Sequence, residues 1–528
     1  MADSHMTSYD EVIYPSFPIY YTHPDRLATM AALFGMKPAP PEKCRVLELG
    51  CFDGVNLAAM GVVLPQSEFV GVDLAGTAIV RGNALLNDIG LKNVTLRQAD
   101  LMEMAPNYGE FDYIIAHGVF TWVPQPVCDQ ILAICKGSLA PQGVAYISYN
   151  TLPGCHSRLM LREMISYHNQ DFHDPQKKMQ QALTLLKLLS NAQVKGSDPY
   201  VQFIRGEYER WGARPPEAFY HDELAETFTP LYFHQFMEQA RRHDLQFLSE
   251  TDYFDMIPRG FSTNAVEVLD RIKDDIVLRE QYLDFMRGRY FRKTLLCHPE
   301  VPLNRSIQPD CVRSYYVSTM ASPESPTPNL DPGAKETFES KQGGKIITAD
   351  PLGRAMFWCL GETAPERMAF PRLVEEVELR ARRQFGFIPK PDQDVTADMV
   401  DFVWAVYGAG LVDLHLSPGP FALQVSDKPL ASPLARWQAR RSDVVATLHH
   451  RTFKLGNTIH RGLLALCDGS RDRGALHADL VKVFESRALD LIDEEGNPVT
   501  DMALVGRAID EELEDFLKKA TQSAVFMA

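Results

Sequence analysis

The sequence predicts an α/β fold, a largely parallel sheet followed by mainly helical modules, and three observations predict it. The first is Val46-Leu47-Glu48-Leu49-Gly50-Cys51-Phe52-Asp53-Gly54, an apolar strand that runs straight into a glycine turn. The second is Asp73, which closes a further apolar strand, Gly71-Val72-Asp73-Leu74, about twenty residues later. The third is the return of short apolar runs between helix-length segments, as buried parallel strands require.

Each element follows in order. The glycine turn and the acid together describe a nucleoside-cofactor site at the carboxyl edge of a sheet: Gly50 and Gly54 permit a close backbone approach, and Asp73 is placed to accept from ribose hydroxyls. A dinucleotide turn wants G-x-G-x-x-G, whereas here the spacing is G-x-x-x-G with Phe52 in place of the middle glycine. Glu48 repels a pyrophosphate and suits the ammonium of an amino acid, so the turn favours S-adenosylmethionine (SAM). Strand three is expected over Val94 to Leu101, strand four over Phe111 to Gly118 and strand five over Gly143 to Asn150. From Cys155 to about Phe219 the chain reads as a helical insertion, closed by Pro215-Pro216; a helix over Leu231 to Asp244 and strands near 245–250 and 290–298 complete a seven-stranded sheet.

Ahead of this sheet stands a proline-rich aromatic arm, Tyr14-Pro15-Ser16-Phe17-Pro18-Ile19-Tyr20-Tyr21, then a helix from near Pro24 to about Gly35. The arm must bury its rings either at the mouth of the cofactor pocket or on the back of the domain. The leading Met1-Ala2-Asp3-Ser4-His5-Met6 reads as a cloning scar. After the sheet, the run from Ala321 to Gly333 has the proline and small polar residues of a linker. Helices near 351–360, 372–385 and 396–408 with a strand at 410–416 suggest a winged-helix-like module, and residues 447–475 give a weaker echo of it. The expected domains are therefore 1–36 (arm and helix), 37–300 (sheet domain with a lid insertion at 155–219), 301–334 (linker), 335–424 (middle module) and 425–528 (carboxyl-terminal module).

Composition limits what the chain does. It has 528 residues, 45% hydrophobic and 23% charged, long enough for several cores. With 53 basic against 69 acidic residues the net charge is −16, which opposes general nucleic-acid binding and suits a protein or peptide partner. The small clusters Arg380, Arg382, Arg383 and Arg436, Arg440, Arg441 read as solvated helix faces, with phosphate binding as the alternative. Nine scattered cysteines without C-x-x-C spacing argue for reduced thiols. No apolar run approaches about eighteen residues and no signal peptide is evident, so a cytoplasmic protein without membrane insertion is expected. The pair His449-His450 lacks a third ligand at metal spacing, and no metal is assigned.

Segments across the chain carry a resemblance. Tyr14-Pro15-Ser16, His117-Gly118-Val119-Phe120-Thr121-Trp122-Val123-Pro124, Ser148-Tyr149-Asn150-Thr151-Leu152-Pro153-Gly154, His221-Asp222-Glu223-Leu224 and Cys467-Asp468-Gly469-Ser470-Arg471-Asp472-Arg473 together resemble bacterial class I (Rossmann-like) SAM-dependent methyltransferases with a methyltransferase regulatory domain. The resemblance is nearly full-length and extends to protein-lysine methyltransferases of outer-membrane proteins. It implies N-methylation of a polypeptide side chain, lysine favoured. A small metabolite or peptide natural product as acceptor, and a catalytically silent SAM-binding regulator, stand as alternatives. In that resemblance Glu48, Gly50 and Gly54 surround the methionine part, Asp73 holds the ribose and Asp100 with Leu101 flanks the adenine; Cys51, Asn56 and Leu74 are further candidate cofactor contacts.

Methyl transfer to an amine needs a neutral nucleophile held in line and shielded from water, and free lysine titrates near ~10.4. His117, at the exit of strand four, is expected to touch the cofactor, with general base as the alternative. Tyr149 and Asn150 are expected to orient the acceptor, the alternative being that Asn150 caps the next turn and Tyr149 packs beneath the lid. Phe120 and Trp122, with Tyr14 and Tyr20 of the arm, are the candidate substrate contacts. The helical modules are expected to recruit substrate or to make a homodimer.

Overall fold

A computed structural model describes residues 14–192, 198–331, 333–341, 343–491, 499 and 501–528; the hexapeptide read as a cloning scar lies outside them. Its centre is a seven-stranded sheet of order β3-β2-β1-β4-β5-β7-β6. The strands are β1 Arg45–Leu49, β2 Glu68–Asp73, β3 Val94–Gln98, β4 Phe111–Ala116, β5 Leu139–Asn150, β6 Gln246–Glu250 and β7 Phe291–Cys297. All pairings are parallel except those of β7, which runs antiparallel to both neighbours. The helices Val55–Val63, Gly76–Asp88 and Gln125–Ser138 return the chain between parallel strands, as right-handed crossovers demand. Because the parallel strands are covered on both faces, β1 and β4 are buried almost throughout.

Four helices, His156–His168, Pro175–Asn191, Pro199–Gly212 and Pro216–Glu223, form the insertion. They close on their own small core of Leu161, Ile165, Ala182, Leu186, Ile204, Trp211 and Phe219. Asp174 and Asp198 cap two of them, each followed by proline at the first helical position, where its missing N–H costs nothing.

The linker reading of 301–334 needs correction. Tyr316–Thr319 is strand β8, which pairs with β12 Met368–Ala369 and with β13 Val412–His415, and Ala321–Pro323 is β9, paired with β10 Glu336–Ser340, which pairs in turn with β11 Lys345–Thr348. Composition hid this, since β9 itself contains Ser322 and Pro323 and runs straight into the proline-rich stretch. The middle module thus starts before residue 335 and uses β8 as the central strand of its sheet, beside helices Pro351–Glu362, Phe370–Gln384 and Val395–Gly408. Its core is continuous with that of the large sheet. The carboxyl-terminal module has a separate core, built from helices Pro433–Ala439, Thr458–Leu466, Arg473–Glu485 and Met502–Gln522 and the hairpin of β14 Val444–Ala446 with β15 Thr452–Lys454.

Helix Pro24–Leu33 joins these parts. His23 caps it by accepting from the Asp25 amide. Buried Arg26 donates to Asp413 Oδ1 at 2.8 Å, to the Thr251 carbonyl and to Asp252, while Asp25 accepts from His415 Nδ1 at 2.8 Å and from Arg367 at 3.1 Å. The helix therefore bridges the sheet domain and the middle module with paired charges. Among the described residues, no helix is long and apolar enough to cross a membrane. Both basic clusters contain paired arginines, Arg380 with Glu362, Arg382 with Glu378 and Arg441 over Trp437, which fits a solvated helix face.

Candidate active site

The turn after β1 builds the site. Gly50 and Gly54 have φ of 76° and 69°, and a Cβ on either would fall 2.4 Å from Val119 Cγ2 or 2.5 Å from Leu96 Cδ2. Only glycine fits both positions. Phe52, between them, adopts φ 50° and so takes the backbone conformation that a glycine would supply; Arg81 lies over its ring. Its amide donates to Asp73 Oδ2 at 2.7 Å, and the Ala75 amide donates to Oδ1 at 2.8 Å. These bonds hold the Asp73 carboxylate at the carboxyl end of β2, the edge where ligands of such sheets bind. Beside it the side chains of Leu74 (46% exposed) and Met102 (48% exposed) stand open, with Leu101 half-buried between elements. Asp100 caps the short turn after β3 by accepting from the Met102 amide at 2.9 Å.

Glu48 lies under the turn and is buried. Its Oε1 accepts from Asn56 Nδ2 at 2.8 Å, but its Oε2 has no hydrogen-bond partner. Burial pushes its carboxyl up to about 8, with Asp73 and Asp53 adding to the effect. A carboxyl held this high is largely protonated at neutral pH, and an ammonium placed at Oε2 would favour its ionised form and satisfy that oxygen. Cys51 is buried in the same turn and contributes packing.

Asn56 needs correction as a direct cofactor contact. Its Oδ1 accepts from the Ile19 amide at 2.8 Å and from His450 Nε2 at 2.8 Å, while its Nδ2 serves Glu48 and Thr22 Oγ1. The side chain stands behind Glu48, with both ends of its amide engaged.

At the end of β4, His117 Nδ1 lies 2.8 Å from the Tyr146 hydroxyl and 3.2 Å from Ser148 Oγ, which in turn accepts from the Gly118 amide. His117, Ser148 and Lys293 form one row across β4, β5 and β7. Burial, with the Lys293 charge, holds the imidazole down to about 4, so it is neutral at physiological pH. Lys293 reaches Asp252 and lies 3.7 Å from the Tyr21 ring centroid, and Phe291 meets His117 edge-on. Tyr146, Phe291 and Lys293 were not legible as neighbours of His117, because only the register of three strands brings them there, and Tyr21 joins them from the arm through Lys293.

Two expected residues face the other way. Tyr149 and its neighbours Ser148 and Asn150 alternate across the strand, so they cannot share one face. Tyr149 is buried, stacks on Phe236 at 4.2 Å and reaches Thr294 Oγ1 at 3.2 Å, which removes it from the catalytic set. Phe120 is likewise core, 5.3 Å from Phe236, and is no substrate contact. Asn150 stands on the carboxyl edge but is buried, with its Oδ1 accepting from Thr121 Oγ1 at 3.1 Å, so it ties two strand exits together.

The arm lies over the turn. Ser16 Oγ donates to Asp53 Oδ2 at 2.8 Å and Ile19 is fixed on Asn56, so the arm runs along the turn while its rings go to several places. Tyr20, expected at substrate, instead donates to Asp413 and is stacked by Arg451 at 3.7 Å, a seam between arm and modules. Tyr14 and Trp122 both meet the insertion. Tyr14 packs edge-on against His221, its hydroxyl pushed up to about 12 by burial and by Asp222; Trp122 packs on Phe228 with Arg158 and Arg162 over it. Among the described residues no cluster of three metal-ligating side chains occurs.

Comparison with known proteins places this geometry. Residues 46–143 match the family model "Methyltransferase domain", residues 215–298 "Predicted methyltransferase regulatory domain" and residues 427–525 "PKMT, C-terminal winged helix domain". The chain is 30% identical to Uncharacterized protein RP789 of Rickettsia prowazekii over 526 residues, covering 98% of this chain and 93% of that one. The chain belongs to the SAM-dependent methyltransferases that carry a methyltransferase regulatory domain. A second Rickettsia prowazekii relative, Uncharacterized protein RP028, is 39% identical over 241 residues, which is 46% of this chain and 96% of the relative. Among solved structures, PKMT2 from Rickettsia typhi in complex with AdoHcy superposes with a TM-score of 0.85 at 29% identity, over 98% of this chain and 100% of that one. The methyltransferase fold and its SAM chemistry thus rest on matches to both halves of the molecule.

Proposed function

We propose that this methyltransferase transfers the methyl group of SAM to an amine of a polypeptide side chain, with lysine as the favoured acceptor. The observation that carries the reading is the end-to-end likeness to Rickettsia typhi PKMT2, which includes the carboxyl-terminal module matched by the PKMT winged-helix model. A shared catalytic sheet alone would leave the acceptor open.

SAM supplies a methyl group already activated on sulfonium, so the chain must bind, orient and exclude water. Glu48 would take the amino acid's ammonium on Oε2, Gly50 and Gly54 would let the backbone approach, Asp73 would accept from the ribose, and Leu74, Leu101 and Asp100 would border the adenine. His117 is neutral and a weak base, and an imidazole held near 4 is a poor acceptor for a proton that leaves an ammonium near ~10.4. Its role in this reading is to touch the cofactor and to orient, through the Tyr146 and Ser148 hydroxyls. Tyr21, Tyr146 and Phe291 give that side an aromatic wall which would desolvate an incoming amine and lower its affinity for a proton. Tyr14 and Trp122, at the insertion, would border the acceptor's entry, and the two helical modules would recruit it.

The test is transfer of labelled methyl from SAM to the proteins of a bacterial lysate and, separately, to its small-molecule fraction, with Asp73→Ala as control. Label in a protein band, mapped by mass spectrometry to lysine, is expected. Label confined to the small-molecule fraction overturns the polypeptide reading.

A further inference from the structure

His450 lies in the carboxyl-terminal module, 394 residues from Asn56 in the chain, yet the two side chains are hydrogen-bonded at 2.8 Å. It sits at the tip of the hairpin between β14 and β15 with φ 57°, a conformation that few non-glycine residues adopt and histidine tolerates better than most. The preceding His449 turns away, stacks on Phe421 at 4.2 Å and meets the Pro365 carbonyl, so the pair divides between two modules.

The hydrogen-bond directions are determined. The Ile19 amide can only donate, so the atom of Asn56 that meets it is the oxygen. His450 Nε2 contacts the same oxygen and must carry the proton. The Asn56 NH2 then faces Glu48 Oε1, at 2.8 Å, and the remaining carboxylate oxygen, Oε2, is left buried without a donor. Reversing the Asn56 amide would set its oxygen against the Glu48 carboxylate and its NH2 against an N–H. The donors at Ile19 and His450 therefore fix which way Asn56 points, and Asn56 fixes which Glu48 oxygen is offered.

We propose that His450 is a positioning residue for the cofactor: through Asn56, the carboxyl-terminal module orients Glu48 toward the ammonium of the amino-acid half of SAM. The proposal rests on the reading of Glu48 as the ammonium's partner. It makes the last module part of the cofactor site, and so gives a partner that moves the hairpin tip a route to cofactor affinity.

The test uses two ligands that differ only in the part Glu48 meets. S-adenosylhomocysteine has the amino acid; methylthioadenosine has the nucleoside and the thioether without it. His450→Ala in the full chain should weaken S-adenosylhomocysteine roughly tenfold, the scale of one buried hydrogen bond transmitted to a charged group, and leave methylthioadenosine unchanged. His450→Gln, whose Nε can replace the imidazole donor, should restore binding to within about twofold. Equal weakening of both ligands, or no change in either, overturns the proposal. Glu48→Gln is the separate control: if it leaves S-adenosylhomocysteine affinity intact, the reading of Glu48 fails, whatever His450 does.

Discussion

The two faces of the large sheet carry buried charges and use them in opposite ways. On one face Arg292 is fully buried, donates to Glu250 Oε1 at 2.6 Å and to Asp284 Oδ1 at 2.8 Å, approaches Glu280 at 3.3 Å and lies over Phe233. Tyr149 and Phe236 stack beside this group. On the other face, toward the glycine turn, Glu48 keeps one buried oxygen without a donor, and Leu74 and Met102 stand open. The comparison teaches that charge and burial do not mark a site by themselves. What separates the two faces is whether the polar groups are already satisfied by the fold.

That contrast can be broken by substitution. Arg292→Ala would leave buried Glu250 without its paired cation and Asp284 and Glu280 with only Arg289 and Arg279, and loss of about 3–5 kcal/mol of unfolding free energy is expected in denaturant titration. S-adenosylhomocysteine affinity of the remaining folded protein should not change. If the variant keeps its stability but loses the ligand, the saturated face is the functional one.

A smaller effect comes from acidity. His117 and His23 are each held down to about 4 by burial, whereas an unfolded histidine titrates near ~6.5. At these two positions the unfolded chain therefore binds more protons than the folded one between these values, so their contribution to stability falls as pH drops from about 6.5 toward 4, against the opposite contribution of Glu48, whose carboxyl is raised to about 8. The unfolding midpoint, followed down that window, should shift upward in His117→Gln relative to wild type. An equal course in both would mean that His117 is not held neutral.

The smallest effect sharpens the comparison most. Tyr149→Phe removes only the hydroxyl at Thr294, so about 0.5–1.5 kcal/mol of stability is expected to go with methyl transfer unchanged. A large fall in turnover at normal stability would return Tyr149 to the catalytic set.

Much of this was legible in the chain. The strands appear within a few residues of the spans that hydrophobic runs predict, the insertion stands where its helical stripe begins, and the glycine turn with Asp73 announced the nucleoside pocket. Local periodicity and turn chemistry encode these elements, whereas the binding roles of the turn and Asp73 are part of the proposal. What stayed hidden depends on register and distance. Adjacent residues of one strand face opposite layers, so choosing Tyr149 over Tyr146 and Ser148 needed the pairing of β5 with β4 and β7. The strand at Tyr316–Thr319 is too short to show alternation beside a proline-rich run. His450 reaches the site across almost the whole chain, and no local pattern reports such a contact.

The most direct measurement is calorimetric titration of S-adenosylhomocysteine into wild type and Asp73→Ala, with unfolding midpoints taken on both because Asp73 also holds the Phe52 and Ala75 amides. Loss of the ribose hydrogen bonds should weaken binding by about 2–4 kcal/mol, roughly thirtyfold or more, in a variant that remains folded. Equal affinity in the two proteins would contradict the placement of the cofactor on the unsatisfied face, and with it the assignment of the residues around that pocket.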